Sequence, residues 1–136
     1  MLDIQIMGTN APREHQRVIR KLIAGLDRLY VLGNIPYEPF PETMLDEGKT
    51  SHTPDVILYD SVSDKEVVMI EISTTKGVNG DFKKVSDLVE YYGIQEGFVF
   101  NYKTNAWRKY KLGEGEITEN PSFCDSIGYD LNDFLK

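Results

Sequence analysis

The sequence contains one cysteine, Cys124, so it cannot form an internal disulfide or anchor a zinc site on thiolates. No apolar run exceeds four residues, Val67-Val68-Met69-Ile70 being one, against the ~20 needed to span a bilayer. The opening MLDIQIMGTN has no basic stretch followed by an apolar block, so no signal peptide is expected. Repeats, low-complexity blocks and Ser/Gly-rich linkers are missing too. These absences predict a single domain spanning 1–136, cytoplasmic and away from membranes. Cations are also scarce, 15 Lys and Arg against 22 Asp and Glu, for a net charge of -7. That argues against a surface given over wholly to nucleic acid. It leaves room for a local basic cleft, because salt screens the remaining field within ~8 Å. What is present is core material: 40% hydrophobic residues, including six Phe, eight Tyr and one Trp, which excludes intrinsic disorder.

Asn10-Ala11-Pro12 reads as a helix start, with Glu14 in the first turn. Val18, Ile19, Leu22, Ile23, Leu26, Leu29 and Tyr30 then follow helical spacing, with Arg13, Arg17, Arg20, Lys21 and Arg28 on much of the other side. Gly33-Asn34 ends the element. Residues 35–53, with Pro36, Pro39 and Pro41, predict a short edge strand followed by a mobile loop. PDVILYD (54–60) and EVVMIEIS (66–73) predict two strands of an antiparallel hairpin, the second buried on both faces. DFKKVSDLVEYYG predicts a helix beginning near Asp81 and capped by Gly93. EGFVFNYK and AWRKYKL predict a second hairpin turning at Thr104-Asn105. The tail predicts a short terminal helix or turn around Tyr129–Phe134. The order of helix, strands, helix, strands gives an α/β fold, a mixed sheet flanked by helices.

Glu71 is the most informative residue. It sits within an apolar strand, where an unpaired carboxylate would cost several kcal/mol. It needs a cation, strong donors or a raised pKa. If the hairpin turns near residue 63, opposed positions sum to about 126, which sets Asp55 opposite Glu71. Opposed carboxylates repel, and a divalent ion between them reverses that sign. Mg²⁺ or Mn²⁺ suits such a pair, since Mg²⁺ takes oxygen ligands and commonly needs only one or two carboxylates. The bland reading makes Asp55 a turn cap and Glu71 the partner of a buried Lys or Arg. The spacing that opposes the two favours the metal site.

Pro54-Asp55 followed by Glu71-Ile72-Ser73 resembles the PD-(D/E)XK motif of the restriction-endonuclease-like superfamily. His15 on the first helix, PDVILYD, IEIS, Asp81 with Lys83 and Lys84, YYGIQEGFVFNYK and the tail SIGYDLNDFL together resemble the Uma-type restriction endonucleases. The resemblance spans nearly the whole chain and implies a restriction-endonuclease-like core and Mg²⁺-dependent hydrolysis of DNA. It also implies Asp55, Glu71 and the Ile72 carbonyl as metal ligands. Ser73 stands where the superfamily carries Lys. A neutral hydroxyl cannot supply that charge, so the resemblance implies a relocated Lys: Lys84 or Lys83, with Lys76 behind them.

Secondary candidates are Glu14 on the first helix, His15 beside it, and Glu38 between prolines on the edge strand. Each has a plainer reading, respectively a first-turn acid, a packing residue and a solvent-facing side chain. Trp107-Arg108-Lys109-Tyr110-Lys111 could suit nucleic acid but reads more simply as an amphipathic edge strand. The leading expectation is a Mg²⁺-dependent endonuclease acting on DNA as a homodimer, joined through AWRKYKL or the first helix. The alternative is an inactive nuclease-fold subunit that binds nucleic acid or serves assembly. A third is an unrelated small α/β binding domain in which a structural cation pairs Glu71.

Overall fold

A computed structural model describes residues 12–43, 45 and 53–136 of the chain. The expected loop after the edge strand lies mostly outside these residues, as do the opening segment and Asn10-Ala11. Helix α1 (Arg13–Val31) starts at Pro12 and buries Ile19, Leu22 and Leu26. Gly33 ends it in the left-handed region at φ 80°, where a side chain would be strained. The strands β1 (Glu38–Pro41), β2 (Val56–Asp60), β3 (Lys65–Ser73), β4 (Glu96–Asn101), β5 (Ala106–Lys111) and β6 (Gly115–Ile117) form one sheet in sequential order. Among the described strands only β3 and β4 pair in parallel. Helix α2 (Val78–Tyr92) makes the crossover between them. The architecture is therefore a mixed α/β sheet carrying a helix on each face.

Alternation along the strands divides the core. Val56, Leu58, Val68, Ile70, Phe98 and Trp107 belong to the cluster that includes α1, while Ile57, Met69 and Val99 join Phe82, Val85 and Val89 of α2. Gly97 lets α2 come close: a Cβ there would lie 2.4 Å from Val85 Cγ1. On the other face, a Cβ on Gly25 of α1 would lie 2.2 Å from the Phe134 ring in the terminal 3₁₀ helix (Leu131–Leu135).

Three details differ from the sequence reading. Helix α2 begins at Val78, because Gly77 serves as its N-cap and the backbone of Asp81 already bonds to Gly77. The Asn-Gly pair at 79–80, a turn signal on its own, lies in the first turn, where N–H groups lack helical partners in any case. Strand β5 is not a sheet edge, since β6 pairs with Lys109–Lys111. The short strands β6, β7 (Phe123–Cys124) and β8 (Tyr129–Asp130) are too brief to show periodicity.

Candidate metal centre

The β2–β3 ladder sets the site. Val56 faces Ile70, Ile57 faces Met69 and Leu58 faces Val68, a constant sum of 126 that places Asp55 opposite Glu71 one step before β2 begins. The Asp55 N–H donates to Glu71 Oε1 at 3.2 Å. Asp55 Oδ2 accepts from the Ile72 N–H at 2.8 Å, and the two carboxyls hydrogen-bond to each other. Glu71 is buried and Asp55 half-buried. Burial, then the negative Asp55 beside it, pushes Glu71 up to about 9. Burial also acts to raise Asp55, but hydrogen bonds from His15, Glu71 and the Ile72 backbone outweigh it and hold Asp55 below the ordinary carboxyl value. One proton thus sits on Glu71 and the charge on Asp55.

His15 enters from α1, its Nε2 3.4 Å from Asp55 Oδ2. The hydrogen bond to Asp55 raises its pKa against the opposing effect of burial, with Glu42 and the Ile72 backbone adding to the raise. Its Nδ1 is buried and has no hydrogen-bond partner among the described residues. Ser73 donates to Asp81 Oδ2 at 2.7 Å, tying the end of β3 to the first turn of α2. Asp81 stands near enough to add to the raise on Glu71. Three acids and a histidine therefore gather where β3 ends and both helices begin.

The other candidates fall elsewhere. Glu38 pairs with Tyr59, four positions from Asp55 and about 13 Å along the strand. Glu42 occupies the position beside Asp55, its N–H bonded to the Asp55 carbonyl at 3.0 Å. Glu14 is exposed and lines a shallow cleft with Arg17 and Tyr102. Its neighbour His15, about 100° round the helix, is the residue that reaches Asp55. Lys83 lies on the outer side of α2, exposed and paired with Asp87 at 3.0 Å. Lys84 is exposed and about 60° from Asp81 on the helical wheel. Lys76 is exposed in the turn before α2.

The 107–111 segment is not an open basic surface. Lys109 is buried against Glu96 at 2.9 Å, Arg108 bonds Glu116 and Asn79, and Lys111 bonds Asp125. The signals for His15 and Glu42 were weak: a single helix residue and a single turn acid carry no spacing pattern.

The donors fit a hard divalent cation, being the carboxylate oxygens of Asp55 and Glu71. The proton crowded onto Glu71 marks a place where added positive charge lowers the energy. Among the described residues no three His, Cys, Asp or Glu side chains converge closely enough to form a cage by themselves. Mg²⁺ would keep waters in its remaining positions.

No family model and no curated protein matches the chain by sequence. Its fold is similar to that of a crystal structure from Anabaena variabilis ATCC 29413, described as "a putative nuclease belonging to DUF820". The TM-score is 0.70 at 13% identity, covering 92% of this chain and 82% of that one. That likeness establishes a shared fold. No helix among the described residues is long and apolar enough to cross a membrane.

Proposed function

We propose that the chain is a Mg²⁺- or Mn²⁺-dependent nuclease of the PD-(D/E)XK type, akin to the Uma-type enzymes, that hydrolyses DNA phosphodiesters. The observation that carries this reading is the Asp55–Glu71 pair, opposed across the β2–β3 ladder with the two carboxyls in hydrogen-bond contact. Two carboxyls forced together in this way destabilise a sheet unless a cation or proton lies between them. The fold neighbour, described as "a putative nuclease", supports the same reading.

Asp55, Glu71 and the Ile72 carbonyl would hold the ion. When bound, it supplies charge neutralisation at the phosphate and a more acidic water. The chain's own groups prepare the site. The Ile72 N–H and His15 fix the Asp55 carboxylate, leaving Oδ1 free of both contacts. The hydrogen bond with Asp55 raises the His15 pKa. Ser73 holds Asp81, and with it the start of α2, against the end of β3. Lys84 is the best placed of the three lysines to offer a cation to the phosphate. It shares the Asp81 side of α2, whereas Lys83 points away and Lys76 lies in the preceding turn.

The test is nicking of supercoiled DNA at low salt by wild type and Glu71→Ala from matched purifications. Wild type should cut with Mg²⁺ or Mn²⁺ and stop with EDTA, and Glu71→Ala should be inactive. Equal cutting by both would reveal a contaminant. No cutting by wild type with either metal would transfer the reading to a non-catalytic nucleic-acid-binding subunit.

A further inference from the structure

The cations of α1 are distributed unlike those elsewhere in the chain. The helix carries Arg13, Arg17, Arg20, Lys21 and Arg28 against Glu14 and Asp27, a local surplus of three positive charges in a chain of net -7. At about 100° per residue the five cations fall within an arc of about 100°, opposite the buried Ile19, Leu22 and Leu26. Arg13, Arg17, Arg20 and Arg28 are exposed, and none makes an ion pair among the described residues. Several cations elsewhere are paired with acids, Lys83 with Asp87, Arg108 with Glu116, Lys109 with Glu96 and Lys136 with Asp133, while Lys65, Lys76 and Lys84 stand singly rather than in a row. With 22 acids available, four arginines left open on one face form a surface suited to an anion from outside. Arg13, Arg17 and Arg20, with Gln16, line a single open concavity.

This surface connects to the candidate metal centre. Arg17 lines a second cleft together with Tyr102 and Lys21. The Tyr102 ring stands edge-on to His15 at 6.3 Å, with the Lys103 ammonium 5.2 Å from its centre. His15 in turn touches Asp55. From Arg13 to Arg28 the row runs about 22 Å. We infer that the outer face of α1 binds the sugar–phosphate backbone of nucleic acid, leading it past Arg17 and Tyr102 toward Asp55 and Glu71. Polyanion chemistry is favoured because the ligand must offer negative charge repeated along that length. Duplex DNA carries one charge per about 1.7 Å of axis. Contacts to phosphate carry no sequence information, so the binding is indifferent to base sequence. The proposal rests on the nuclease reading for the direction of the track, but not for the binding itself.

The experiment measures anisotropy of labelled duplex DNA of two unrelated sequences with the full chain in EDTA, across a salt series. Wild type should bind both sequences alike. Arg13→Ala/Arg17→Ala/Arg20→Ala should bind about tenfold or more weakly, with the slope of log affinity on log salt reduced by about 1 per arginine removed. Alanine at exposed helix positions preserves helicity, and an unchanged circular-dichroism melt checks this. Lys65→Ala/Lys136→Ala, which removes cations elsewhere, should match wild type.

Equal affinity and slope for the triple variant overturn the inference, as does a wild type that binds no DNA. Capture by phosphatidylserine vesicles without DNA binding also overturns it. Because EDTA removes catalysis from the assay, a chain that binds through α1 but never cuts sustains this inference while the nuclease reading fails. A chain that cuts equally well without the three arginines does the reverse.

Discussion

A carboxyl group held near 9 cannot take a metal ion without first releasing its proton. Binding of Mn²⁺ should therefore tighten between pH 6.5 and pH 8.5. Calorimetry in buffers of different ionisation heat should show about one proton released per ion by wild type, and no binding by Asp55→Ala or Glu71→Ala. In EDTA the same group shapes stability with the opposite sense. Its native pKa lies above the ordinary 4.5, so its contribution is complete below 4.5 and lost as pH rises through about 9. Glu71→Gln should flatten that alkaline decline in denaturant melts. Glu96 acts from the acid side. Burial raises it, but Ser126, Lys109 and two backbone N–H groups outweigh burial and hold it low. Its contribution is present above the ordinary value and fades as pH falls through the lowered one. Lys109→Met strands the Glu96 carboxylate and should cost about 3–5 kcal/mol. At this scale the sequence was legible where two residues lay on one short hairpin, as with Asp55 and Glu71. It marked His15 only as a secondary candidate with a plainer packing reading, because its contact with Asp55 depends on how α1 packs.

Among the elements, α2 is set by a single missing side chain. Gly97→Ala would drive a methyl to 2.4 Å from Val85 Cγ1 and 2.8 Å from Val89 Cγ2. The helix must then shift, at about 1–3 kcal/mol. Because the first turn of α2 holds Asp81 against Ser73, the variant should also lose Mn²⁺ affinity while remaining folded. Thermal melts and calorimetry on one preparation check both outcomes. Alternation and helical spacing made β2, β3, β4, β5 and both helices readable, and Gly33 and Gly93 marked their helix ends. The start of α2 was misplaced because Asn79-Gly80 has the local character of a turn, and only packing of Val78 and Phe82 overrides it.

For the molecule as a whole, the single Trp is a convenient reporter. Trp107 is buried against Phe98 and Phe100, and its indole N–H donates to Asn132 at 3.0 Å. Leu131, fully buried in the same cluster, should cost about 2–5 kcal/mol when changed to Ala. Trp107 fluorescence and circular dichroism should then report one coincident, earlier transition. The division of acids and cations over the surface could not be read from net charge, because a total of -7 conceals an arginine face on α1. The contact of Phe134 with Gly25 bears on how the chain is made. Synthesis proceeds from the amino end, so α1 and the first hairpin emerge with the Gly25 face uncovered. Their closing side chain is added more than a hundred residues later. Until then the nascent chain leaves the Gly25 face of α1 uncovered, the period in which a ribosome-associated chaperone has the most surface to hold.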